Sequence, residues 1–264
     1  MKLQHLILSR FNVNLKQVLA RRKRNALTYE RWMDQHIHFF ECSLLPSMQG
    51  QINKNFRWVM FLGDDTPDKY REKIESYGCF ESVYIQNEES KCPHTGPLFR
   101  KQIADWLKAN VQDGYDKTLI TRIDVDDCVS FKYVEKTHEA VEREDVVGIM
   151  NFGYGYLLDI RDDNERLFLH SRPKFINQFR THVFERPDEV LQPWLEIGDV
   201  RDQPHHVFFA FPCWVHIYHN TNASLYLRSA ERPRYLKRTL SGVYLDYSYL
   251  KKEFGFDKRY LEEL

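Results

Sequence analysis

Residues 118–127, Thr-Leu-Ile-Thr-Arg-Ile-Asp-Val-Asp-Asp, restrict the possible folds more than any other stretch of the chain. Leu119, Ile120 and Ile123 form a short apolar run of the kind carried by a strand buried on both faces. The run stops at three carboxylates, Asp124, Asp126 and Asp127. Side chains alternate along a strand, so Asp124 and Asp126 are expected to point the same way, with Asp127 at the turn. Carboxylates this close repel one another. A divalent cation relieves the repulsion, and Mg²⁺ or Mn²⁺ held by one or two carboxylates completes its shell with phosphate oxygens. Two readings stand at this point. One is a metal–diphosphate site at the carboxyl end of a central strand, where open α/β sheets bind ligands. The other is an acidic turn in which Asp127 or Ser130 caps a helix beginning near Phe131.

The chain before this stretch supplies context. Strands are expected at 3–13, 56–62 and 82–85, alternating with helices at 28–45, 66–78 and 98–111. Met33, Ile37, Phe40 and Leu44 form one apolar stripe on the first of these helices, which Pro46 should end. Such alternation predicts a doubly wound, mostly parallel sheet flanked by helices. Three strands then end in polar groups, Ser9-Arg10, Asp64-Asp65 and Asp124 to Asp127. Parallel connections place those ends on one edge of the sheet, which favours the metal–diphosphate reading. Later strands are expected at 146–152 and 154–160, adding antiparallel members to the sheet, and at 207–211 and 214–219. The last runs into His216, His219 and Asn222. The segment 161–200 reads as irregular and polar, strand-like at 166–169 and weakly helical at 175–179.

Lys plus Arg and Asp plus Glu number 38 each, so no global field favours nucleic acid. Five scattered cysteines without a C-x-x-C pair argue against a disulfide framework or a zinc site and for a reducing compartment. No signal peptide or membrane span is apparent, so a cytoplasmic protein is expected. The basic run from Ala20 to Arg24 reads either as a solvated loop or as a peripheral contact with the anionic inner face of a membrane.

Taken in order, Ile7-Leu8-Ser9-Arg10-Phe11, Leu45-Pro46-Ser47 with Gln51, Phe56-x-Trp58, Asp64-Asp65-x-Pro67, Thr121 to Asp127 and Trp214-x-x-x-x-His219-x-x-Asn222 resemble the bacterial rhamnosyltransferases. These are nucleotide-sugar glycosyltransferases of the GT-A fold. The resemblance implies a GT-A-like (Rossmann-like) mixed sheet and transfer of a sugar, such as rhamnose, to a glycan or other hydroxyl acceptor in surface polysaccharide synthesis. The donor would be dTDP-rhamnose or a UDP-sugar, and Mn²⁺ or Mg²⁺ would bridge its phosphates. It implies Asp126, Asp127 and His219 as metal ligands. Ser9, Arg10, Asp64, Arg100, Arg122, Asp124 and Asn222 would lie against the nucleotide-sugar. A general base for the acceptor would come from Asp159, Glu196 or Asp199, with Asp199 favoured because Gly198-Asp199 follows an apolar Trp194-Leu195.

With no repeat or linker, one domain is expected. Residues 1–127 would form its nucleotide-sugar half, 128–225 its acceptor half and 226–264 a helical C-terminal segment. Two other readings remain at this level. A haloacid-dehalogenase-like phosphatase would use Asp124-x-Asp126 as its nucleophile motif, but that motif belongs on a first strand. A non-catalytic binding module would leave the aligned strand ends unexplained.

Overall fold

The computed structural model describes residues 1–21, 28–88, 96–160, 166–171, 178–186, 203–209, 211–219, 247–257 and 259. In chain order the elements are β1 (Leu3–Arg10), α1 (Leu15–Arg21), α2 (Tyr29–Cys42), α3 (Leu44–Gln49), β2 (Arg57–Gly63) and α4 (Asp68–Glu75). They continue with β3 (Glu81–Ile85), α5 (Pro97–Asn110), β4 (Lys117–Arg122), β5 (Cys128–Val129), α6 (Tyr133–Glu144) and β6 (Gly148–Phe152). The remaining elements are β7 (Tyr154–Asp159), β8 (Arg166–Ser171), β9 (Thr181–Phe184), β10 (His205–Phe208), β11 (Trp214–Tyr218) and α7 (Tyr247–Phe254).

A seven-stranded sheet in the order β10-β6-β9-β4-β1-β2-β3 forms the body of the protein. Its pairings are parallel except the two made by β9, which runs backwards between β4 and β6. This is the mixed, mostly parallel sheet that the sequence led one to expect. β1 lies inside it, between β4 and β2, and its alternate residues go to opposite layers. Leu3 and Ile7 join a core with the apolar stripe of α2, with α4 and with α6, while Leu6 and Leu8 join Phe99, Ile103 and Leu107 of α5. A strand covered by helices on both faces has no solvent face, which is why its sequence is apolar without alternation. A smaller sheet, β5-β11-β7-β8, packs with α7 and with Phe39 and Cys42 of α2 around a third core.

The structure departs from expectation in several places. The helix over 28–45 is two helices: α2 stops at Cys42, and α3 begins at Leu44 with Pro46 inside its first turn, where a missing N–H costs nothing. The return strand β7 does not join the large sheet but belongs to the small one. Gly155 permits this, because a Cβ there would stand 2.0 Å from the ring of Trp214, whose indole N–H donates to the Phe152 carbonyl at 2.9 Å. The antiparallel member of the large sheet is instead β9. Its short sequence, Thr-His-Val-Phe, lies inside a polar segment that reads as irregular. The weak helix expected over 175–179 lies largely outside the described residues, and Phe179 within it belongs to a turn. Among the described residues no helix is long and apolar enough to cross a membrane.

Candidate active site

β1, β2 and β4 are parallel, with Leu8 beside Arg122 and Arg10 beside Phe61, so their carboxyl ends share one edge. Beyond β4 the chain turns at once, the Asp127 amide donating to the Asp124 carbonyl at 3.3 Å. The turn sends the three carboxylates to three different partners. Asp124 folds back on Arg122, whose Nη2 donates to both of its oxygens at 2.9 Å. Asp126 accepts a hydrogen bond from Nε2 of His219 at 2.9 Å. Asp127 accepts the Ile217 amide at 2.9 Å and Nδ1 of His216 at 3.0 Å.

Burial decides the electrostatics of the turn. Burial alone would push the Asp126 carboxyl up, but the hydrogen bond and charge of His219, reinforced by His36 and His216, hold it well below the usual carboxylate range. Asp127 is pushed up, first by burial and then by the neighbouring Asp126 and Asp124, against the pull of His216. Adjacent carboxylates with shifts of opposite sign are a known signature of functional sites.

Asp126 and His219 form a metal-capable group together with His36 of α2. One ligand atom from each lies within 4.8 Å of the others. Two imidazoles and a carboxylate suit a borderline divalent ion. The structure does not bring Asp127 into this group. Its carboxylate is buried and turned onto β11, where it satisfies a strand amide. His36 is there instead.

Basic groups face the same edge. Arg10 lies over the Phe99 ring, 5.7 Å from its centroid. Burial and the charge of Arg122 lower its pKa to about 10, opposed by Asp124 and Asp126. Arg180, just ahead of β9, is lowered to about 10 by burial and by Arg122, opposed by Asp124. Its carbonyl accepts the Arg122 amide at 3.4 Å, which ties the two residues together. Three guanidiniums that sense one another make an electropositive wall suited to an anion.

The other expected residues fall into three groups. Asp64 is exposed at the end of β2, and its carboxylate accepts the Asn87 amide at 3.3 Å. Arg100 stands half-buried in the first turn of α5. Asp159 ends β7 beside Tyr218 of β11, so its side chain shares a sheet face with His216. Ser9 is not brought to the edge. It is fully buried, and its hydroxyl accepts the Trp58 indole N–H at 3.1 Å. Glu196, Asp199, Asn222 and Arg22 to Arg24 lie outside the described residues. Sequence reasoning missed His36, His216 and Arg180. His216 was visible two residues from a strand end, and Arg180 only as a cation before a short β-branched run. His36 sits on an apolar helix, and nothing local marks it.

A family model described as "Putative rhamnosyl transferase" matches residues 4–190, more than two thirds of the chain. No curated protein shows significant sequence similarity to the chain. Among solved structures, residues 1–349 of S. aureus TarS are 13% identical with a TM-score of 0.45, over 81% of this chain and 60% of that one. The same fragment in complex with UDP gives 13% and 0.45 over 83% and 61%. A "putative nucleotide-diphospho-sugar transferase" from Desulfovibrio desulfuricans G20 is 12% identical with a TM-score of 0.34, over 94% of each chain. This chain thus spans about six tenths of the length of the TarS fragment. Through the match over residues 4–190, the chain belongs to the rhamnosyl transferase family of glycosyltransferases.

Proposed function

We propose that this protein is a metal-dependent glycosyltransferase. It would move a sugar, rhamnose in keeping with the family's description, from a nucleoside-diphosphate donor to a hydroxyl of a glycan acceptor, in surface polysaccharide synthesis. The observation that carries this reading is the meeting, at one sheet edge, of the Asp126–His219 pair with the wall of Arg10, Arg122 and Arg180. A diphosphate needs both a divalent ion and fixed positive charge, and here the residues that would hold the one adjoin those that supply the other.

In this reading residues 1–127 supply most of the donor site, and Arg180 and His219 complete it from the half that faces the acceptor. Asp126 and His219 would hold the ion. When bound, it supplies charge neutralisation for the departing diphosphate. Arg10, Arg122 and Arg180 orient the phosphates through charge-assisted hydrogen bonds. Asp124 keeps the Arg122 fork in place until the donor arrives. Asp64, exposed at the end of β2, is positioned for the nucleoside, and Arg100 stands half-buried in the first turn of α5. Asp159, half-buried beside Tyr218, is the described carboxylate suited to take the acceptor's proton.

The test is incubation with dTDP-rhamnose and with UDP-sugars, with and without Mn²⁺, reading release of the nucleoside diphosphate. Metal-dependent release that rises with added glycan is the expected result. Hydrolysis of a generic phosphate ester, with no donor turnover, would replace the transferase by a phosphatase.

A further inference from the structure

The sequence pattern offers Asp126, Asp127 and His219 for a metal, yet the fold aims Asp127 elsewhere and brings a residue from a distant helix. We propose that His36 is the third protein ligand of the ion. The resulting two-imidazole, one-carboxylate set binds a borderline transition-metal ion ahead of the nucleotide and discriminates against Mg²⁺. This rests on the reading of the Asp126 edge as a metal site and deepens it.

Three features of His36 support the assignment. First, its tautomer is fixed. Nδ1 lies 3.0 Å from the Trp32 carbonyl, one turn back on α2, and a carbonyl only accepts, so Nδ1 carries a proton. In the neutral ring the lone pair is then on Nε2, the arrangement that metal-ligating histidines show when a backbone carbonyl orients them. Second, its orientation is locked. The ring stacks on Trp32 with centroids 3.5 Å apart and planes 16° from parallel, while Phe39 meets it edge-on at 5.6 Å. A ligand carried by a packed helix is held more rigidly than one on a loop. Third, the spacing suits an ion. Two ligands about 2.1 Å from a metal and at right angles stand about 3 Å apart. Asp126 Oδ2 and His219 Nε2 are 2.9 Å apart, and the whole trio lies within 4.8 Å.

The alternative is a histidine that merely fills the core. A bond to the i−4 carbonyl is an ordinary way to satisfy one nitrogen of such a residue. It does not explain why the ring meets His219, at 5.5 Å between centroids, where His219 in turn meets the Asp126 carboxylate at 2.9 Å. His36 and His219 are 3% and 1% exposed, so the ion would be covered on the imidazole side and open toward Asp126, where donor oxygens or water complete the shell.

Selectivity follows from the ligand set. Mg²⁺ prefers oxygen and gives up its waters reluctantly, whereas Mn²⁺, although first in the Irving–Williams order, accepts imidazole. Mn²⁺ should bind the protein alone, and Mg²⁺ should do so at least tenfold more weakly.

The experiment uses the full chain and Mn²⁺ alone, without nucleotide. Paramagnetic resonance titration gives the affinity, and spin-echo modulation from directly bound nitrogen counts the imidazoles. Two nitrogens in the wild type, falling to one in His36→Gln with affinity reduced tenfold or more, are expected. Circular dichroism of the apo variant checks its fold. If the variant does not fold, the wild-type nitrogen count decides alone. One nitrogen in the wild type, or two that survive in a folded His36→Gln, overturns the role of His36 and leaves the metal site standing. No binding of Mn²⁺ by the wild type overturns both.

Discussion

Asp126 and His219 meet at 2.9 Å although 93 residues separate them. One ends the turn after a central strand of the large sheet, and the other ends a strand of the small sheet. Each is therefore positioned by a different layer of the fold, and the pair is as accurate as the packing between those layers.

The first prediction concerns Asp126. Asp126→Asn removes a ligand charge at constant size, so the fold should persist and Mn²⁺ should no longer raise the melting temperature. Turnover of the donor should fall on the order of 10²-fold or more, as when a principal charge-stabilising group is lost. A variant that is still stabilised by Mn²⁺ to the wild-type extent would refute the ligand role.

Asp127 should behave differently, because its partners are an amide and His216 rather than an ion. Asp127→Ala removes the carboxylate that accepts the buried Ile217 N–H at 2.9 Å, a loss of about 1–3 kcal/mol. Asp127→Asn keeps an oxygen there and should cost less. Chemical denaturation of both variants is the check, and equal stability of Asp127→Ala and wild type would count against the structural role.

For the arginine wall, the expected effect is on donor affinity. Arg10→Ala and Arg122→Ala should each weaken binding of the nucleoside diphosphate roughly tenfold or more, as expected for charge-assisted bonds of about 1.5–3 kcal/mol. Raising the salt concentration should narrow the gap to wild type. Calorimetry reads both effects, and unchanged affinity in both variants would remove the wall from the site.

Acid should destabilise the protein through three buried histidines. Burial lowers the pKa of His5, with His138 adding to it, and burial likewise lowers His138. Burial and then Arg180 lower His182 to about 3. These rings are neutral when folded and gain a proton near pH 6.5 when unfolded. Their contribution is thus complete above about pH 6.5. As pH falls below that, each costs up to about 1.4 kcal/mol per pH unit until its own folded pKa is reached, which for His182 is about 3. Asp127, raised by burial, works in the opposite sense at the acid end. Melting curves between pH 8 and 5 should show the decline, and His182→Gln should flatten it. A melting temperature that rises on acidification would contradict this account.

Much of the fold was legible because a doubly covered strand has an unmistakable sequence. Leu6 to Leu8, Trp58 to Leu62 and Leu119 to Ile120 could only be interior, and the turn at Asp124 to Asp127 followed from charge alone. β9 was not legible, since four residues in a polar segment carry too little pattern and its place is set by the neighbours it pairs with. His36 was hidden for a similar reason. On α2 it falls among residues whose spacing says only that a face is buried, and its meaning comes from β11, which local periodicity cannot supply. Ser9 erred the other way, because proximity to a strand end does not say which side of the sheet a side chain takes.

The bond from the Ile217 amide to Asp127 also bears on the order of folding. Until β11 docks, the three carboxylates sit at the rim of a core without the Ile217 amide and the two β11-side imidazoles, an electrostatically frustrated state. The family match stops at residue 190, short of Trp214 to His219. A chain ended there would keep β1 to β9 but lose the amide that holds Asp127 and the imidazole that holds Asp126. Docking of the small sheet is thus the event that turns an unstable acidic turn into a charge-balanced one, and the completed turn is a marker that β11 has found its place.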